Sequence, residues 1–249
     1  LTLPADPPPG DYTLALGRLA SSAGSNLAAR SQYEAALRDH LAAFPDDPTA
    51  SEARWILGQI TAAVGKDREA MELWAAVPVE HPRWREARLA LIKSHQKAVT
   101  DLVTADRIHE ARNRMVEARK ALITMADEAT ELADRNLIDL ARAELELTPS
   151  VGNPAEALTL LDRLVATEVV SDRRDQARRL RIVAQVLTQH DSDAEQNARQ
   201  ELEQSDPDAI VALAKRLDQA AHFTADPARR RIASISRMLT ERLLSRSDD

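Results

Sequence analysis

The chain has 249 residues, 44% apolar but only 3% aromatic, with 6 Gly, 12 Pro and no Cys. Glycine so far below its usual ~7% argues against a turn-rich β-sandwich or barrel, and the missing cysteine removes disulfide frameworks, Cys-bound zinc and thiol nucleophiles. A formal charge of -7, from 40 acidic against 33 basic residues, disfavours general affinity for nucleic acid or anionic lipid. No apolar run approaches the ~18 residues that span a bilayer, so membrane insertion is not expected. Because it opens on Leu1 rather than Met, the sequence reads as a piece of something longer.

Residues 1–10, with Pro4, Pro7, Pro8 and Pro9 before Gly10, cannot start a helix and read as a linker or tail. From Asp11 onward Ala and Leu recur at spacings of three and four, with Pro or Gly between the stretches, which predicts successive amphipathic helices forming one domain over 11–249. An internal period appears at once. Tyr33, Ala36, His40, Ala43 and Pro48 align with Asp67, Ala70, Trp74, Val77 and Pro82, each displaced by 34 residues, and Gly24 maps onto Gly58. Such a pattern suits two short antiparallel helices: Gly58 and Ala70 are the small residues that permit close approach, Leu57 and Trp74 fill the flanks, and Pro82 ends the second helix.

These residues resemble the tetratricopeptide repeat family. Residues 51–84 carry the family's pattern as Leu57-Gly58, Gly65, Ala70, Trp74 and Pro82, with Arg54 where the family has Trp. Residues 17–50 match through Gly24, Tyr33, Ala36 and Pro48, with His40 replacing the aromatic. The resemblance implies an all-α, right-handed superhelical solenoid of about five antiparallel helix pairs, less regular toward the C-terminus. The repeats fall at about 17–50, 51–84, 85–125 and 126–171, followed by irregular helices over 172–249. In the third pair Ala111, Met115 and Ala118 come seven residues late, two helical turns, so longer helices are expected there. Gly152, Ala157, Leu161 and Leu164 mark a fourth pair whose first helix, about 127–147, is also expected to be long. Further helices are predicted at 172–189, 193–204, 206–223 and 226–246, started by Asp172, Asp193, Asp206-Pro207 and Asp226-Pro227.

Chemistry is sparse. The six glycines form neither GxGxxG nor a phosphate loop, His109-Glu110 lacks the second His of a zinc helix because Asn113 stands there, and no GxSxG occurs. Asp191, Asp193 and Glu195 imitate a calcium loop, but Gln196 and Leu202 replace its Gly and Glu, which favours an acidic turn with Asp193 as N-cap. Arg173, Arg174, Arg178, Arg179 and Arg181, and later Arg229, Arg230, Arg231, Arg237 and Arg242, lie among acids such as Asp172, Asp175 and Asp226. That pattern favours a salt-laced face over nucleic-acid recognition, with Asp175 and Arg179 as an expected i,i+4 pair. Neither catalysis nor a cofactor or metal is expected.

The resemblance places a partner-binding groove on the first helices of successive pairs, at Arg18, Ser21 and Ser25, then Glu52, Trp55 and Gln59, then Glu86, Leu89 and Lys93. Trp55 is its expected anchor, burial against a neighbouring helix being the competing role. The expected function is a non-catalytic scaffold module that binds another protein or a peptide. The alternative is an architectural or regulatory segment of a larger enzyme or cell-envelope protein.

Overall fold

The computed structural model describes residues 27–168, 170–222 and 226–247, with side chains described for 31–168, 170–221 and 229–241. All regular structure among them is helical: α1 (Leu27–Ala43), α2 (Ala50–Ala63), α3 (Asp67–Ala75), α4 (Trp84–Thr104), α5 (Ile108–Glu128), α6 (Leu132–Glu146), α7 (Pro154–Thr167), α8 (Ser171–Leu187), α9 (Asp191–Gln204), α10 (Pro207–His222) and α11 (Asp226–Ser247). The Pro-rich residues 1–10 and the expected groove residues Arg18, Ser21 and Ser25 lie outside the described residues. The chain divides into two compact units, residues 1–94 and 95–249, where the sequence reading takes 11–249 as one domain.

In the first unit, α2 and α3 form a hairpin whose closeness depends on Gly58. A Cβ there would lie 2.7 Å from Trp74 Cδ1 and 2.9 Å from Cε2, and closer still to Nε1, so the indole lies directly on the α2 backbone. The turn is a Schellman motif: Lys66 N donates to Thr61 O (2.9 Å), Gly65 N donates to Ala62 O (3.0 Å), and Gly65 has φ 79°, which costs glycine nothing. Arg54 Nη2 reaches Pro45 O at 2.7 Å and ties α2 back to the preceding connection.

The 34-residue displacement is written into the backbone. Asp47 N–Phe44 O, Ala50 N–Asp47 O and Ala53 N–Thr49 O recur as His81 N–Pro78 O, Trp84 N–His81 O and Ala87 N–Arg83 O. Burial repeats with it along α2 and α4, where Ala50, Ala53 and Leu57 match Trp84, Ala87 and Leu91. Between α1 and α3 the match is partial: His40 and Trp74 are both buried, but Ala36 is half-buried and Ala43 exposed where Ala70 and Val77 are buried. The residues that would pair with that side of α1, 17–26, lie outside the described residues.

In the second unit the period stretches while the hairpin register persists. The αL residue Asp106 (φ 57°) sits 41 residues after Gly65, and its turn has the same bonds, Asp106 N to Val103 O and Arg107 N to Leu102 O. Gln189 (φ 66°) repeats the motif between α8 and α9. Counting four residues from each N-cap (Lys66, Arg107, Asn153 and His190) gives Ala70, Ala111, Ala157 and Ala194, all 0% exposed. Four further on stand Trp74, Met115, Leu161 and Ala198, also buried. A methyl group at the first position lets each second helix approach its partner closely, and the later position fills the remaining space.

Pair three is long, as expected: α4 and α5 have 21 residues each, against 14 and 9 for α2 and α3. Pair four is not. Its first helix is α6, with 15 residues rather than the expected span of 127–147, because α5 runs on through Glu128 and the chain breaks at Ala129–Glu131. Arg135 makes that break, donating from Nε to Ala126 O and from Nη2 to Ala129 O, both at 3.3 Å. The α6–α7 connection is pinned by buried Glu146, which takes Arg119 through Nε (2.5 Å) and Nη2 (2.6 Å) and accepts from Asn153 N (2.9 Å).

The later helices begin close to the predicted places, with two corrections at their starts. Val170 and His190 hold the N-cap positions of α8 and α9, so Asp172 and Asp193 are first-turn residues favoured by the helix dipole rather than caps. Asp206 does cap α10, accepting from Ala209 N at 2.8 Å. Through the second unit each helix from α5 to α8 packs on the next and α10 packs on α11, while α6 also packs on α8, α8 on α10, and α9 on α11.

Candidate functional site

Of the expected groove residues that are described, Glu52 and Glu86 are brought together by Arg83, at 3.8 Å and 3.2 Å, with His81 Nε2 3.9 Å from Glu52. Leu89 is half-buried, and Gln59 and Lys93 are exposed. Trp55, the expected anchor, is half-buried, its ring centroid 6.4 Å from that of Trp74 with a 43° tilt. The cause is Gly58, one turn further along α2, which lets Trp74 sink against the backbone until its ring meets Trp55.

The arginine-rich α8 is occupied by intramolecular work. Arg173 donates to Ala133 O (2.7 Å), Arg174 donates from Nε to Glu168 O (2.8 Å) at the end of α7, and Arg179 and Arg181 face Glu201 (3.9 Å) and Asp162 (3.7 Å). Asp175 pairs with Arg178 (3.3 Å) instead of the expected Arg179, which leans toward α9. In α11 Arg229 donates to Ala221 O and Arg231 lies 2.9 Å from Asp191, while Arg230 and Arg237 are exposed and the Arg242 side chain is outside the described residues. The calcium-loop mimic is helix, its Asp191 and Glu195 paired with Arg231 and Arg199. Glu110, beside His109, is held below the usual carboxylate range by Arg107, whose Nε donates to it at 2.7 Å.

A concave site does form, wholly within the second unit. A cleft of about 510 Å³ is lined by Gln96, Thr100, Val103 and Thr104 from α4, Glu144 and Leu145 from α6, Leu147, Thr148 and Pro149 from the following connection, Leu180 and Val183 from α8, and Arg216, Gln219 and Ala220 from α10. Glu144 is its hub. Its carboxylate accepts from Gln96 Nε2 (3.2 Å), Gln176 Nε2 (2.9 Å) and Arg216 Nη2 (3.0 Å), so one side chain joins four helices. The hub's side chain is 22% exposed and Arg216's 48%, which leaves the cation as the more accessible charge. Gln96 and Thr100 follow Lys93 along α4 at steps of three and four, the steps that also separate Glu86, Leu89 and Lys93, but no local motif announces a hub whose members lie 32 to 72 residues from Glu144.

Among the described residues no helix is long and apolar enough to cross a membrane. No family model matches the chain, and no curated protein matches it. A solved structure from work on the computational design of self-assembling cyclic protein homooligomers aligns with 95% of this chain and 94% of its own at 13% identity, with a TM-score of 0.28, too low to carry an argument about fold.

Proposed function

We propose that the chain is a tetratricopeptide-like array of helix pairs, a right-handed superhelix that works as a non-catalytic module binding a peptide or partner helix along its first helices. The observation that carries this reading is the cleft: α4, α6, α8 and α10, the first helices of successive pairs, all line it, and the second helices α5, α7 and α9 do not. Support for the array comes from the buried alanine four residues after each N-cap and from the packing of α6 on α8 and α8 on α10. The half-buried apolar side chains Val103, Leu147 and Ala220 would supply affinity, and the hub with Arg216 and Gln219 would orient a partner. The expected groove thereby shifts from Trp55 toward the later first helices.

Panning a displayed peptide library against the chain tests this. Selected peptides should lose binding to Gln219→Trp, which crowds the cleft from an exposed position, and keep it with Lys120→Trp on the exposed side of α5. Peptides that bind both variants equally, or the selection of none, would reject the reading.

A further inference from the structure

The cleft has a chemistry of its own, and the inference drawn from it goes beyond partner binding and stands without it. Its volume of about 510 Å³ falls in the range of small-ligand sites, roughly 300 to 1,000 Å³. Among the described residues, Glu144 and Arg216 are the only charged ones that line it. Glu144 is already served by three donors on three other helices, so its charge is spread over two amides and a guanidinium. Arg216 uses Nη2 on Glu144, and among the described residues its Nε and Nη1 form no hydrogen bond. An arginine held from one side by a carboxylate, in a cleft it shares with the half-buried apolar residues Val103, Leu147 and Ala220, is pre-organised for a second anion. We infer that the cleft binds a small amphiphilic monoanion, with an apolar body against the half-buried Val103, Leu147 and Ala220 and a carboxylate or sulfonate on the free edge of Arg216. A cation is disfavoured because the accessible charge is positive, and a wholly apolar ligand would leave the guanidinium edge covered and unpaired.

Decanoate and 8-anilinonaphthalene-1-sulfonate serve as probes, the first by calorimetry below its micelle-forming concentration and the second by fluorescence. Decanol and decyltrimethylammonium are the neutral and cationic controls. The full chain should bind both anions saturably at one site. Arg216→Gln, an exposed change that keeps a donor for Glu144, should weaken them about tenfold or more. Thr100→Trp, from an exposed position on the rim, should abolish binding; each variant is first shown to melt as the parent does, and Gln219→Trp replaces Thr100→Trp if it does not. Decanol should bind parent and Arg216→Gln alike. Failure of both anions to saturate, equal affinity in Arg216→Gln, unchanged binding after the cleft is filled, or tighter binding of the ammonium amphiphile would each overturn the inference.

Discussion

At Gly58 a single hydrogen stands where any other side chain would meet the Trp74 indole, and the pair can be tested as a unit. Gly58→Ala should cost about 1 to 3 kcal/mol by overpacking, and less in a Trp74→Leu background, since the clash disappears with the ring. Trp74→Ala should cost about 3 to 5 kcal/mol. Because the rings of Trp55 and Trp74 touch, Trp55→Ala and Trp74→Ala should be non-additive by about 0.5 to 1.5 kcal/mol in denaturant melts. Strict additivity would separate the two rings. Another residue-scale test is His95, buried on α4 with Arg114 and Glu117 facing it from α5. Burial, and then the Arg114 charge, push its pKa down from 6.5 to about 4. The unfolded chain therefore takes up a proton below about pH 6.5 that the folded chain refuses until about pH 4. Stability should fall as pH drops through that window, by about 2 to 3 kcal/mol, and His95→Phe should flatten this slope. An unchanged slope in His95→Phe would assign the acid sensitivity elsewhere. The partnership of Gly58 and Trp74 was legible in sequence because both stand at positions of a known repeat spacing; the burial of His95 was not, since a lone histidine on a helix carries no signal of what covers it.

The hairpin turn is the most regular element, and its three copies differ in the residue forced into positive φ: Gly65, Asp106 and Gln189. Glutamine in that region is strained by about 1 to 2 kcal/mol, so Gln189→Gly should raise stability by about 1 kcal/mol, while Gly65→Ala should lower it by a similar amount. Thermal melts decide, and a loss in Gln189→Gly would contradict the turn geometry. Elements were readable wherever chain-local chemistry marks them: Pro82 after α3, the seven-residue delay that became two extra turns of α4, and Asp206-Pro207 before α10. The end of α5 was not readable, because neither Gly nor Pro interrupts 127–147 and the break is made by Arg135 reaching back to Ala126 and Ala129. The αL turn at Gln189 was equally silent, since glutamine is no C-cap signal.

At the scale of the whole molecule, the proposed array has helix pairs that interact chiefly with their neighbours, so damage should stay local. Gly58→Ala should hasten hydrogen exchange in α2 and α3 and leave α8 to α11 at parental rates; a uniform acceleration would mean one cooperative body. The cleft belongs to this scale too. Gln96, Glu144, Gln176 and Arg216 are ordinary polar residues until α4, α6, α8 and α10 place them together, which is why the sequence pointed to first helices in general and to Trp55 in particular, but not to this hub. Whether the first helices are the binding side is decided by hydrogen exchange of the chain with and without a library-selected peptide. Added protection is expected in the parts of α4, α6, α8 and α10 that line the cleft. Protection confined to α5, α7 and α9 would contradict it.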